Sequence, residues 1–206
     1  AAALAIAYTA WTGLRAARLY AGIKRDGSSW DAPIHRFHPM LGYAPIDNTE
    51  SVARHPSGHC VPIRFDANGF RIPADPSLVQ EGGPPYVLAL GCSFAFGAGC
   101  KAEEAFPYRV ANGLRGTALN AGLGGYGLVH MVLRARELIP KFAPDWVLIE
   151  YAPWLIDRSL QPISSATRLA PMPAPYLAID AGGGFVIAPP PYATNYFALP
   201  VRDYAR

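Results

Sequence analysis

The feature that most constrains the fold is a change of rhythm at residue 86. From there to residue 152, apolar runs too short to be helices alternate with longer stretches of helical period. "YVLAL" (86–90) reads as a buried strand. "AEEAFPYRVANGLRG" suits a helix from Ala102 to Leu114, with Pro107 near its first turn. "TALNAG" (117–122) reads as a second strand, and "GLVHMVLRARELIPKF" (127–142) as a helix ending near Pro140. "DWVLIEYA" (145–152) is a third strand, continuous and apolar as a central parallel strand is. Such alternation predicts a parallel, three-layer α/β/α sheet with right-handed crossovers.

The flanks are different. Residues 26–85 are rich in Pro, Gly, His and Asp and read as short strands and turns, with Asn68-Gly69 a tight turn between "PIRFD" and "FRI". From Pro153 the alternation stops, and "YLAIDAGGGFVIAPPP" reads as a hairpin turning at Gly182–Gly184. The expected organisation is therefore a segment 1–25, a strand- and loop-rich extension 26–85, and an α/β domain over 86–206. "AAALAIAYTAWTGL" is apolar over residues 1–14, short of the roughly twenty that span a bilayer. We read it as the tail of a membrane anchor or export signal, ahead of an ordinary amphipathic helix continuing through "LRAARLYAGIKR". Arg15, Arg18, Lys24 and Arg25 favour a cytoplasmic C-terminal side, but without the upstream flank the orientation stays open. A membrane-anchored or exported location is favoured over a cytoplasmic one. The chain reads as a fragment at both ends.

With 51% hydrophobic residues in 206, there is material for one real core. The net charge of +3 comes without a dense Lys/Arg cluster, so nothing points to nucleic acid. Cys60, Cys92 and Cys100 make no disulfide framework, and the last two match no common zinc spacing. "HPSGHC" brings His55, His59 and Cys60 together, with His35 and His38 upstream, yet completes no recognised ligand pattern. These histidines are read as surface residues, and no metal is expected.

Within "YVLALGCSFAFGAG" (86–99), Ser93 follows the first strand by three residues. At the C-terminal end of a parallel strand the chain turns sharply, and ligands of open α/β sheets bind there. Gly91 permits the turn, and Ser93 presents its hydroxyl beside helical N–H groups able to hold an oxyanion. The plainer reading is that Ser93 caps the helix.

The core blocks "LALGCSFAFGAGCKAEEAFPYRV", "LNAGLGGYGLVHMVL" and "PDWVLIEY" resemble those of bacterial SGNH/GDSL-type hydrolases, whose blocks read G-D-S-F/L, then N-x-G-x-x-G-Y-G, then a strand of the "PDxVLI" kind. The resemblance runs over about residues 40–190, including "LGY…RFDANGFR" and the later hairpin. It implies a flavodoxin-like three-layer sheet and a serine esterase or acyltransferase that forms a covalent serine intermediate. Ser93 takes the nucleophile position, and the N–H groups of Ser93 and Gly125 take oxyanion positions. Cys92, Asn120 and Trp154 line the implied cleft. The implied substrate is an acyl ester of a small molecule or glycan, and no cofactor is implied.

Three positions depart from the family pattern. Cys92 stands where the family has Asp, Trp154 stands where the third block has Asn, and no Asp-x-x-His follows. His130, the one histidine after Ser93, lies within a helix and reads as a helix-surface or packing residue. The resemblance therefore implies a base beyond Arg206 and little turnover without it. Two other readings compete. A non-catalytic SGNH-like domain would use the cleft to hold a glycan or partner, with Trp154 supplying an aromatic face. "GLGGYG" (122–127) formally matches the dinucleotide fingerprint, with Glu150 about where a ribose-binding acid lies.

Overall fold

The computed structural model describes residues 29–55, 57–80, 82–164 and 172–190. The anchor reading of residues 1–25 lies outside them. Among the described residues no helix is long and apolar enough to cross a membrane.

The regular centre is a three-stranded parallel sheet. β7 (Tyr86–Leu90) lies between β8 (Thr117–Asn120) and β9 (Trp146–Ile149), with Val87 opposite both Ala118 and Trp146. α1 (Ser93–Phe96) and α2 (Phe106–Gly113) follow β7, α3 (Leu128–Phe142) joins β8 to β9, and α4 (Trp154–Ser159) follows β9. Alternation along β7 separates two cores. Val87 packs with Tyr108 and Ala111 of α2, whereas Leu88 and Leu90 pack with Met131 and Leu138 of α3 and Leu155 of α4. Helices thus cover both faces of β7.

The expected helix over 102–114 divides in two. Ala102–Glu104 forms a 3-10 turn, and α2 starts at Phe106, with Pro107 in its first turn where the missing N–H costs nothing. α3 runs to Phe142, two residues past Pro140. β9 occupies the edge of the described sheet rather than its centre. Nothing described pairs on its far side, and Trp146 and Ile149 are 54% and 60% exposed.

The N-terminal region is a β module. β1 (Ser29–Trp30), β4 (Glu50–Arg54), β5 (Cys60–Phe65) and β6 (Arg71–Ile72) form one antiparallel sheet; β2 (His35–His38) and β3 (Gly42–Pro45) form a hairpin. The β5–β6 turn is the one expected. Gly69 sits at φ +73°, and the Asp66 carboxylate accepts from the N–H groups of Asn68 and Phe70. The module is bonded into the α/β core, since Tyr43 donates to the Gly124 carbonyl and Tyr126 to the Tyr43 carbonyl, at 2.9 and 3.0 Å.

Beyond α4, β10 (Ile163–Ser164) pairs with β11 (Met172–Pro173). β12 (Tyr176–Ile179) and β13 (Phe185–Ala188) form the expected hairpin. Its turn is tied by Asp180, whose carboxylate accepts from Gly182 and Gly184.

Candidate active site

The chain leaves β7 for β8 on one side and returns to β9 on the other. The carboxyl ends of β7 and β9 therefore flank the reversal where open α/β sheets bind ligands. Ser93 follows β7 and Glu150 follows β9. β7 stops at Leu90, Gly91 and Cys92 make the turn, and Ser93 opens α1. α1 is short because Gly97 ends it in the left-handed region at φ +73°.

Four N–H groups point out of the first turn of such a helix and need partners from elsewhere. Here Glu150 takes two of them, its Oε2 accepting from Cys92 at 2.8 Å and Ala95 at 3.0 Å. Its Oε1 accepts from the Cys92 thiol, and the nearby Phe94 N–H favours negative charge on the same sulfur. The Ser93 N–H has no partner among the described residues. Gly91 allows the approach. A Cβ there would fall onto that of Ala95 and 2.5 Å from Glu150 Oε2.

Cys92 is fully buried. That burial, with the hydrogen bond to Glu150 second, holds its thiol above the ordinary range, so it is a poor thiolate. Ser93 is half-buried, its hydroxyl 3.7 Å from the Cys92 sulfur with no histidine within hydrogen-bonding distance among the described residues.

The glycine loop after β8 packs beside this turn. Asn120, fully buried, donates to the Ala95 carbonyl at 2.8 Å and accepts from Gly122, so it fastens the loop to α1 rather than facing open space. A Cβ on Gly122 would come 2.7 Å from the Phe96 nitrogen. Gly125 sits at φ +86°; its carbonyl accepts from Ser164, and its N–H has no partner among the described residues. Trp154 opens α4 and faces Phe94, ring centres 6.2 Å apart. Both rings are open to solvent, 46% and 64% exposed, so they flank the serine turn as an aromatic pair.

His130 is a packing residue. It stacks on Tyr126 at 4.3 Å, accepts at Nδ1 from Gly127, and donates from Nε2 to the Leu41 carbonyl. Burial drives its pKa down to about 3. His55 and His59 lie with ring centres 5.9 Å apart, but no group of three ligating side chains able to hold a metal occurs among the described residues.

Sequence reasoning connected Glu150 only to a ribose and not to the serine turn. The available signal was an acid directly ending the neighbouring strand, opposite a glycine that leaves room for it. No family model matches this chain, and no curated protein or solved structure was found to be similar to it.

Proposed function

We propose that this chain carries an SGNH/GDSL-like serine esterase site, with Ser93 as nucleophile toward an acyl ester, on a carbohydrate or a small molecule. One observation carries the reading: the N–H of half-buried Ser93, beside its own hydroxyl, has no partner among the described residues. An oxyanion formed at an ester carbonyl would take that N–H and the N–H of Gly125. The base would be a histidine of a longer chain, since no histidine among the described residues lies within hydrogen-bonding distance of the hydroxyl. The apolar, exposed β9 edge supports this, because a further parallel strand would cover it and extend the sheet toward the flavodoxin-like order.

Attack by Ser93 Oγ on the ester carbonyl forms the C–O bond of a tetrahedral intermediate while the base takes the hydroxyl proton. Collapse expels the alcohol, which receives that proton, and leaves the acyl group on Ser93. Water or a second alcohol then takes it. Aryl acetate turnover by the longer chain tests this. Ser93→Ala should lower kcat by about a thousandfold or more, and a variant retaining full activity rejects the assignment. Residues 1–206 alone should turn over poorly, and a rapid Ser93-dependent rate in them rejects the external base.

One observation favours a second reading. The exposed Phe94–Trp154 pair suits a sugar face as well as an acyl chain, as a non-catalytic glycan-binding domain requires. Glycan binding that survives Ser93→Ala, in a longer chain without esterase activity, would favour it. The dinucleotide reading fits less well, because the Glu150 carboxylate is engaged by the serine turn and Gly122 is packed against α1.

A further inference from the structure

Away from the serine turn, a cavity of about 120 Å³ opens where the β module meets α3. That volume equals roughly four waters of liquid, the scale of one tetrahedral oxyanion. Its walls are polar and come from separate parts of the chain: Arg36 and His38 of β2, Asp47 after β3, Asn68 in the β5–β6 turn, and Arg134, Glu137 and Lys141 of α3.

Three permanent cations meet two carboxylates in these walls, and each carboxylate already has a guanidinium. Arg36 pairs with Asp47 at 3.4 Å and Arg134 with Glu137 at 2.8 Å. Lys141 has no carboxylate within 4.0 Å among the described residues; its ammonium donates to Asn68 at 3.1 Å. Positive charge is therefore left over. So are donors. Arg134 is only 6% exposed; among the described residues it donates only through Nη1, and its buried Nε has no partner. His38 accepts at Nδ1 from the N–H groups of Met40 and Leu41, which fixes the proton on Nε2, and that nitrogen also has no partner among the described residues.

A buried guanidinium nitrogen without a protein acceptor is costly, and in a native fold it points to a water or ion as its partner. Net positive charge disfavours a metal ion. Guanidinium groups beside an ammonium match the several oxygens of a tetrahedral anion. We propose that this cavity is an anion site for a phosphate group, free or as the end of a phosphomonoester, held by Arg134, Lys141, His38 and Arg36. Occupancy would tie the β module to α3, independently of any chemistry at Ser93.

The test is calorimetric titration of the chain with inorganic phosphate and, separately, glycerol 3-phosphate, with sodium chloride at matched ionic strength as reference. The expected result is saturable one-to-one binding of at least one phosphate ligand and none of chloride. Lys141→Ala should weaken it by about tenfold, the effect of losing one charge-assisted contact. Arg134→Gln should abolish it. Because Arg134 is buried, a folded far-UV spectrum is required of that variant, and the exposed Lys141→Ala carries the test if it fails. Binding by both ligands assigns a phosphomonoester end group, and binding by inorganic phosphate alone assigns the free ion. The absence of saturable binding by either ligand, or unchanged affinity in Lys141→Ala, overturns the proposal.

Discussion

Glu150 holds the turn of Cys92. Its carboxylate accepts the Cys92 N–H at 2.8 Å and the Cys92 thiol proton, and reaches on to the N–H of Ala95. A side chain from the end of one strand thus supplies the anion that the start of the neighbouring helix attracts. Removing it strands two amides at a packed turn. Glu150→Ala should cost about 2 kcal/mol, the scale of lost hydrogen bonds to a charged group. Glu150→Gln, which keeps an acceptor for the amides, should cost about half as much. Urea unfolding at neutral pH measures both, and equal stability of Glu150→Ala and wild type would remove the carboxylate from this role.

The same contact disfavours an aspartate in place of Cys92. An aspartate there would put a second carboxylate against Glu150 in a buried turn, where two such groups cannot both ionise cheaply. Cys92→Asp should therefore lose about 2–4 kcal/mol at neutral pH. The folded pair would hold a proton that the unfolded chain releases, so the deficit relative to wild type should shrink as pH falls from 7 toward 5. The double variant with Glu150→Gln should recover most of the loss. A single variant as stable as wild type at pH 7 contradicts the argument.

Much of the centre was legible because periodicity is local. The five apolar residues of β7, the helical spacing of α3 and the Asp-Gly-rich turn of the β12–β13 hairpin all carry their own signal. What was hidden depends on distant partners. The role of Glu150 follows from the β7–β9 register, in which Leu90 faces Ile149, and no local pattern reveals it. His130 looks like any helix residue until Leu41, 89 positions away, covers it. The pairing of β1 with β4 was invisible for the same reason, and β9 read as central because its composition is apolar even though no described strand pairs with its outer edge.

His130 and His35 give the chain an acid limit. Both lie against Tyr43, with ring centres 5.7 and 5.6 Å away, and burial lowers their pKa values to about 3 and about 4. His130 also faces Tyr126 and feels the charge of Arg158, which lowers its pKa further. Unfolded, each would titrate near the ordinary histidine value of 6.5. Below that pH the unfolded chain binds protons that the folded chain refuses, so stability is present above 6.5 and lost as pH falls toward 4. Each histidine contributes a slope approaching 1.4 kcal/mol per pH unit, about one proton's worth. Urea midpoints between pH 7 and 5, where carboxylates titrate little, should fall steadily. In His130→Gln the slope should drop by about one proton, and an unchanged slope would mean that His130 is not held neutral.

Arg71 fastens the chain that leaves the serine turn. It is fully buried, with no carboxylate partner among the described residues; its guanidinium donates to the carbonyls of Phe96, Gly97 and Cys100 and lies 4.5 Å from the centre of the Phe96 ring. Desolvation lowers its pKa to about 10, so it stays charged at neutral pH. A methionine would fill much of the volume but leave those carbonyls dry and unpaired. Arg71→Met should therefore cost about 3 kcal/mol. Arg71→Lys keeps the charge without the planar fork and should recover only part of the loss. A merely space-filling role makes a different forecast, since replacing a buried charge by a well-packed apolar side chain can be neutral. Hydrogen exchange separates the two. If Arg71 holds the loop, the amides of Ala98 and Cys100, which donate to Ser93 and Gly97, should exchange faster in Arg71→Met than in wild type at equal denaturant distance from the midpoint. Unchanged protection there, with unchanged stability, would reduce Arg71 to packing.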